Sequence, residues 1–255
     1  MSLGPGDRSC MTAAALDALT SAEVLVGYKL YLDLISDLAQ GKKIVSSGMR
    51  KEVNRCQASI DHALAGYRVA LVSSGDAGIY GMAGLVFDLC RERRLHVSGE
   101  CMAQDGPARF RIRVIPGVPA FNAAASILGA PLMHDFAAIS LSDHLTPWEL
   151  IERRLEAAAA ADFVLSIYNP RSKSRPHSLE KARSVLLRHR RPDNPVGIVC
   201  RAMREGERWM LATLGELPIE EVDMQSVLIV GNSKTYIWNG WMVTPRGYLD
   251  KYQLT

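Results

Sequence analysis

A chain of 255 residues is long enough for one large domain or for two of roughly 120 residues. With 48% hydrophobic and 22% charged residues it can build a packed core, which excludes a disordered chain, and a net charge of +3 gives no global case for nucleic acid. No apolar run approaches the ~18 residues of a membrane helix and no charged-then-apolar leader opens the chain, so a cytoplasmic protein is expected.

In chain order, Gly4-Pro5-Gly6-Asp7 is a turn open to a ligand. No Gly-Lys-Ser/Thr comes after it, so it is not a Walker loop, and it lacks the third glycine of the dinucleotide fingerprint. A whole strand is expected before such a turn. Only Met1-Ser2-Leu3 stand there, so either the start is shortened or these residues are a cloning remnant. Short β-rich runs then predict strands at 24–26, 43–45, 69–73 and 111–115, and later at 137–141, 163–167, 196–200 and 227–230. Between them, apolar residues at three- and four-residue spacing predict helices at 52–65, 79–90, 120–128, 148–159 and 178–188. The alternation is that of α/β architecture. Pro116-Gly117-Val118-Pro119 cannot continue a strand, which divides the chain into domains 1–116 and 117–255. Residues 98–109 are expected to form a loop, and the alanines at 157–161 a helix end.

In open parallel sheets ligands bind beyond the carboxyl ends of the strands, so the residues just past each strand matter most. Ser73-Ser74-Gly75-Asp76-Ala77-Gly78-Ile79-Tyr80 lies past one strand. Its glycines let a ligand approach the backbone, and Asp76 can accept from a ribose or an amine. Read alone, the same residues favour turn glycines and a helix N-cap over a ligand site. A later strand ends in Tyr168-Asn169-Pro170, with Arg171, Lys173 and Arg175 directly after it. Arginine's planar fork suits carboxylates, with phosphate the competing anion. Arg188, Arg190 and Arg191 are expected on a solvated face. Asp143, His144 and Lys234 lie in loops where a surface role is the default. Cys10, Cys56, Cys90, Cys101 and Cys200 are expected as reduced, mostly buried thiols, and no spacing of His or Cys predicts a metal site.

Several stretches together resemble the tetrapyrrole methylase family over nearly the whole chain, from Gly4 to about Tyr248. They are Val26-Gly27-Tyr28-Lys29-Leu30-Tyr31, the Ser-Ser-Gly-Asp loop, Ile115-Pro116-Gly117-Val118-Pro119-Ala120, residues 139–149 with Asp143-His144-Leu145-Thr146-Pro147-Trp148, residues 168–175, and Met242-Val243-Thr244-Pro245-Arg246-Gly247-Tyr248. The 139–149 and 168–175 stretches are similar to the subgroup that methylates carbon 17 of precorrin-3B or cobalt-precorrin-3 with ring contraction, in cobalamin biosynthesis. The resemblance implies two α/β domains, the first with a mainly parallel sheet and the second with a mixed one, and a cofactor cleft between them. It implies S-adenosylmethionine as methyl donor, S-adenosylhomocysteine as product, a tetrapyrrole polycarboxylate as substrate, and a homodimer, with no nucleic acid or membrane partner. Cofactor positions carried over are Pro5, Ser74, Gly75, Asp76, Ile79, Pro119, Ala120, Asn169 and Ala202. Serine replaces the family's first glycine at Ser74, and Pro119 stands where relatives have threonine, without its hydroxyl and N–H. Arg171, Lys173 and Arg175 are the expected carboxylate ligands. Tyr28, Tyr31, Asp143 and His144 are acid/base candidates for ring contraction. Other uroporphyrinogen or precorrin methylases, diphthine synthase, a ribosomal-RNA ribose methylase and a non-catalytic tetrapyrrole- or nucleotide-binding module are the alternatives.

Overall fold

A computed structural model of the protein describes residues 1–99 and 109–252. The chain forms two compact units, Met1–Pro119 and Ala120–Thr255. The first holds α1 (Ala13–Ser21), β1 (Val24–Tyr28), α2 (Lys29–Asp33), β2 (Lys43–Ser47), α3 (Glu52–Leu64), β3 (Val69–Val72), α4 (Ala83–Glu92) and the short pair β4 (Val97–Ser98) and β5 (Phe110–Arg111). Its main sheet has the order β2-β1-β3 and is parallel throughout. β1 is central, and Val24, Leu25 and Val26 are wholly buried because helices cover a parallel sheet on both faces. Met1–Leu3 lie along the free edge of β3, where Leu3 N–H donates to Ser73 O (2.8 Å) and Ser73 N–H to Met1 O (3.0 Å). That is the strand position the Gly4 turn calls for. Leu3, Leu19, Leu25, Ile35 and Val72 close the core, each burial worth roughly 1.5–3 kcal/mol.

The second unit holds α5 (Ala120–Leu128), β6 (Gly129–Ala130), β7 (Phe136–Ser140), α6 (Trp148–Ala160), β8 (Val164–Tyr168), α7 (Ser178–Leu186), β9 (Pro195–Cys200), β10 (Arg208–Thr213), β11 (Ser226–Val230), the hairpin β12 (Tyr236–Trp238) and β13 (Trp241–Val243), and α8 (Tyr248–Lys251). Its five-stranded sheet runs β10-β9-β11-β8-β7. β7 and β8 are parallel and the other pairs antiparallel, which makes β7, β8 and β9 point the same way. Ile151, Leu155, Leu179 and Val185 from α6 and α7 pack on this sheet with Leu165, Ile167, Ile198 and Leu228. The α/β class, with one parallel and one mixed sheet, is as the sequence led us to expect.

Four expectations need correction. The 111–115 run is a strand only at Arg111. Beyond it the bonds include Ile112 N–H to Ser98 O and the Ser2 hydroxyl to Ile115 O, and no ladder continues among the described residues. The 79–90 helix begins only at Ala83, because Tyr80 sits in the left-handed region (φ 53°) and interrupts the helical ladder. Asp76 is therefore not its N-cap. Arg190 is not on a solvated face: it is buried, ion-paired with Asp162 and bonded to Phe163 O (2.9 Å), and burial pulls its guanidinium below the usual range. The loop expected at 98–109 lies outside the described residues from 100 to 108.

Candidate cofactor and substrate sites

In the first unit three loops are laced together at the carboxyl edge of the parallel sheet. Gly75 N–H donates to Gly4 O (2.6 Å) and Gly4 N–H to Gly75 O (3.1 Å). The Ser2 hydroxyl donates to Ile115 O (2.6 Å) and accepts from Ala77 N–H (2.8 Å). Asp76 completes the lacing: Oδ1 accepts from Gly78 N–H (2.7 Å) and Oδ2 from Gly117 N–H (2.9 Å). Two glycines are obligatory here. Gly75 is left-handed (φ 65°), and a Cβ on Gly117 would stand 2.5 Å from Ser2 Cβ and 2.6 Å from Gly75 O. Pro5 and Gly75 are buried, while Ser74, Asp76, Ile79 and Pro119 are partly so.

The lacing decides what this edge can bind. The N–H groups of Gly4, Gly75, Ala77, Gly78 and Gly117 are all spent internally. A phosphate cradle needs such groups free and pointing at the anion. Carbonyl oxygens and the remaining lone pairs of Asp76 are acceptors, which suits a ligand carrying hydroxyls and positive charge. S-adenosylmethionine, with its ribose, ammonium and sulfonium groups, fits that description.

In the second unit the ends of β7, β8 and β9 share one edge of the sheet. The Tyr168 phenol oxygen accepts from Phe121 N–H (3.0 Å) in the first turn of α5, the helix that Ala120 opens. Asn169 is left-handed (φ 50°), at a cost of about 1–3 kcal/mol, and its amide donates to the Ser140 hydroxyl (2.9 Å). Buried Ala202 lies past β9 between Arg201 (φ 54°) and Met203 (φ 56°), a second strained turn on the same edge. Strain of this kind collects where geometry is functional.

The three cations fare differently. Arg175 is largely buried against Leu141 O (2.8 Å), Asn169 O (3.3 Å) and Asp143 (3.6 Å). Arg171 donates to Glu220 (2.6 Å) and to the carbonyls of Pro176 and Ile219. Lys173 is exposed and has no partner among the described residues. Asp143 and His144 are exposed on the loop after β7. Tyr28 and Tyr31 meet edge to face (centroids 5.3 Å) in the first unit, with the Arg55 guanidinium 5.8 Å from the Tyr28 ring. Cys56, Cys90 and Cys200 are buried free thiols and Cys10 is partly exposed; burial pushes the Cys56 thiol up to about 11. Among the described residues no cluster of His, Cys, Asp or Glu could hold a metal.

Ser2, Ser140 and Tyr168 emerge as lacing residues that sequence reasoning did not single out. A lone serine or tyrosine has no spacing to betray its partner.

A family model for tetrapyrrole (corrin/porphyrin) methylases matches residues 1–218. The chain belongs to the tetrapyrrole methylase family. Tetrapyrrole methylases use S-adenosylmethionine, and this one is an S-adenosylmethionine-dependent methyltransferase. Among relatives, it is 50% identical over 96% of its length, and 97% of the other's, to a probable cobalt-factor III C(17)-methyltransferase of Salmonella typhimurium. It is 40% identical to a precorrin-3B C(17)-methyltransferase of Sinorhizobium sp, over 92% of this chain and 88% of that one. Among solved structures, the methyltransferase CobJ aligns with a TM-score of 0.84 and 34% identity over 96% of this chain and 97% of its own. Uroporphyrin-III C-methyl transferase from Thermus thermophilus, complexed with S-adenyl homocysteine, shares the fold (TM-score 0.65, 22% identity, 91% of this chain and 95% of that one).

Proposed function

We propose that this tetrapyrrole methylase methylates carbon 17 of cobalt-factor III, with ring contraction, in cobalamin biosynthesis. The observation that carries this reading is the 50% identity, over 96% of the chain, to the relative bearing that name. Precorrin-3B is the second reading, supported by the 40% identical Sinorhizobium relative. A cytoplasmic homodimer belongs to the same proposal. No helix among the described residues is long and apolar enough to cross a membrane.

Bound S-adenosylmethionine supplies an electrophilic methyl group on its sulfonium, so no protein nucleophile is required. The work left to the chain is binding, orientation and exclusion of water. Pro5, Ser74, Gly75, Asp76, Ile79 and Pro119 in the first unit, and Ala120, Asn169 and Ala202 in the second, are the proposed cofactor contacts. The acceptor-rich edge around Asp76 supports the first group, and the strained strand ends at Asn169 and Ala202 support the second.

For the macrocycle's carboxylates we assign Lys173 and Arg171. Lys173 is unpartnered among the described residues, and the Arg171 pair with Glu220, itself 81% exposed, is a surface contact that a ligand carboxylate can replace. Ring contraction moves protons at the ring periphery, and Asp143, His144, Tyr28 and Tyr31 are the proposed groups.

Anaerobic incubation with cobalt-factor III, and in parallel precorrin-3B, with methyl-labelled cofactor and mass detection tests the reading. One labelled methyl on cobalt-factor III is expected. A gain on precorrin-3B alone selects the second reading, and a gain on neither, with S-adenosylhomocysteine still bound, overturns carbon-17 methylation.

A further inference from the structure

Arg175 has the chemistry of a carboxylate ligand but not the surroundings of one. Its side chain is only 13% exposed. Nη1 donates to Leu141 O (2.8 Å), just past β7, and to Asn169 O (3.3 Å), just past β8. Both carbonyls lie one residue past the last paired residues of the two strands, Ser140 and Tyr168. Nε lies 3.6 Å from Asp143 Oδ1, and Nη2 is 3.4 Å from the Met224 sulfur. The chain returns Arg175 to this position through a tight turn in which Ser172 and Arg175 exchange backbone bonds (3.3 and 3.0 Å). The guanidinium is thus surrounded largely by protein, with two carbonyls at Nη1, a sulfur at Nη2 and a carboxylate near Nε.

Asp143 is in the opposite condition. It is 49% exposed, its Oδ1 faces Arg175, and its Oδ2 has no partner among the described residues. It sits on the loop after β7, at the edge of the sheet where α/β proteins bind their ligands. An ion pair at one oxygen, with the other open, biases the orientation of the carboxylate as an acceptor, and the guanidinium that makes the pair is anchored to both strand ends.

We propose that Arg175 is a positioning residue that holds Asp143 toward the tetrapyrrole as a fixed acceptor, and is not itself a carboxylate ligand. The inference rests on the methyltransferase reading above. Lysine discriminates the two roles. A point charge can still attract a carboxylate, but it cannot span Leu141 O, Asn169 O and Asp143 at once.

The test uses the full-length protein and the variants Arg175→Lys, Asp143→Ala and their combination, with methyl-transfer kinetics on cobalt-factor III and hydrogen exchange of amides 142–144. We expect kcat to fall by roughly tenfold or more in each single variant, with KM for the tetrapyrrole changed by less than about threefold. The double variant should be no worse than the poorer single, because paired groups are not additive. Amides 142–144 should exchange faster in Arg175→Lys. A tenfold rise in KM with kcat intact in Arg175→Lys, or additive losses, overturns the proposal. If Arg175→Lys fails to fold, Arg175→Gln takes its place with the same readouts: a lower kcat at constant KM with faster exchange at 142–144 supports the role, and a raised KM with kcat intact, or unchanged exchange, overturns it. If the wild-type protein does not turn over cobalt-factor III, the functional reading fails by itself and exchange still judges the tether: faster exchange supports it, unchanged exchange overturns it.

Discussion

The two strand-end regions are built on opposite principles. In the first unit each described tie among the loops at Gly4, Gly75 and Gly117 ends on a backbone group: Gly4 and Gly75 exchange backbone bonds, and the Ser2 and Asp76 side chains bond only to backbone N–H groups and a carbonyl. In the second, side chains do the tying: Tyr168 to α5, Asn169 to Ser140, Arg175 to Leu141 and Asp143. A backbone cradle fixes one shape and tolerates little change at its glycines. A side-chain network can be altered one residue at a time without moving the strands. The first suits a ligand common to a whole family, and the second suits a substrate that differs from one member to the next.

Gly117→Ala breaks the comparison most forcefully, because its Cβ meets Ser2 and the Gly75 carbonyl at sub-van-der-Waals distance. We expect about 1–3 kcal/mol lost stability from overpacking, and a loss of S-adenosylhomocysteine affinity visible by calorimetry. Tyr168→Phe should cost about 1 kcal/mol, because a half-buried N–H loses its acceptor, and thermal unfolding should register it as a shift of roughly 2–4 °C. Lys173→Ala sharpens the other side: KM for the tetrapyrrole should rise several-fold while S-adenosylhomocysteine affinity stays put.

The smallest effect concerns Cys56. Burial raises its thiol from 9.0 to about 11, so the folded state holds its proton more tightly than the unfolded chain. Its contribution to stability is complete below about pH 9 and is lost as pH rises toward about 11. Native protein should resist thiol labelling at Cys56 at pH 8, and urea unfolding should show the midpoint falling only in the alkaline range.

Much of this contrast was legible in the sequence. Glycine and proline punctuation marked the turns at Gly4, Gly75 and Gly117, because backbone demands leave residue-type signatures. The strand and helix order also came from periodicity. Side-chain partnerships left no such trace. Arg171, Lys173 and Arg175 look equivalent in sequence, yet one is held by Glu220 and carbonyls, one is open to solvent, and one is largely buried. Arg190 looked solvated because its partner Asp162 lies across a strand start that spacing does not reveal. The hairpin β12–β13 was legible and overlooked: Asn239-Gly240, with both residues left-handed, is the standard signal for a two-residue turn. β10 and the short helices α1 and α2 were overlooked as well, although Thr12 before an alanine-rich run is an N-cap signal, confirmed by its bond from Ala15 N–H (3.2 Å).

In the proposed division of labour the edge around Asp76 holds the cofactor, with Asn169 and Ala202 on the cofactor side as well, while Arg171 and Lys173 choose the substrate. Calorimetry of S-adenosylhomocysteine binding to Asp76→Ala beside Lys173→Ala tests it most directly. Asp76→Ala is expected to bind about tenfold or more weakly, since two backbone N–H groups lose their acceptor, and Lys173→Ala to bind like wild type. Unchanged affinity in Asp76→Ala, or an equal loss in both variants, would contradict it.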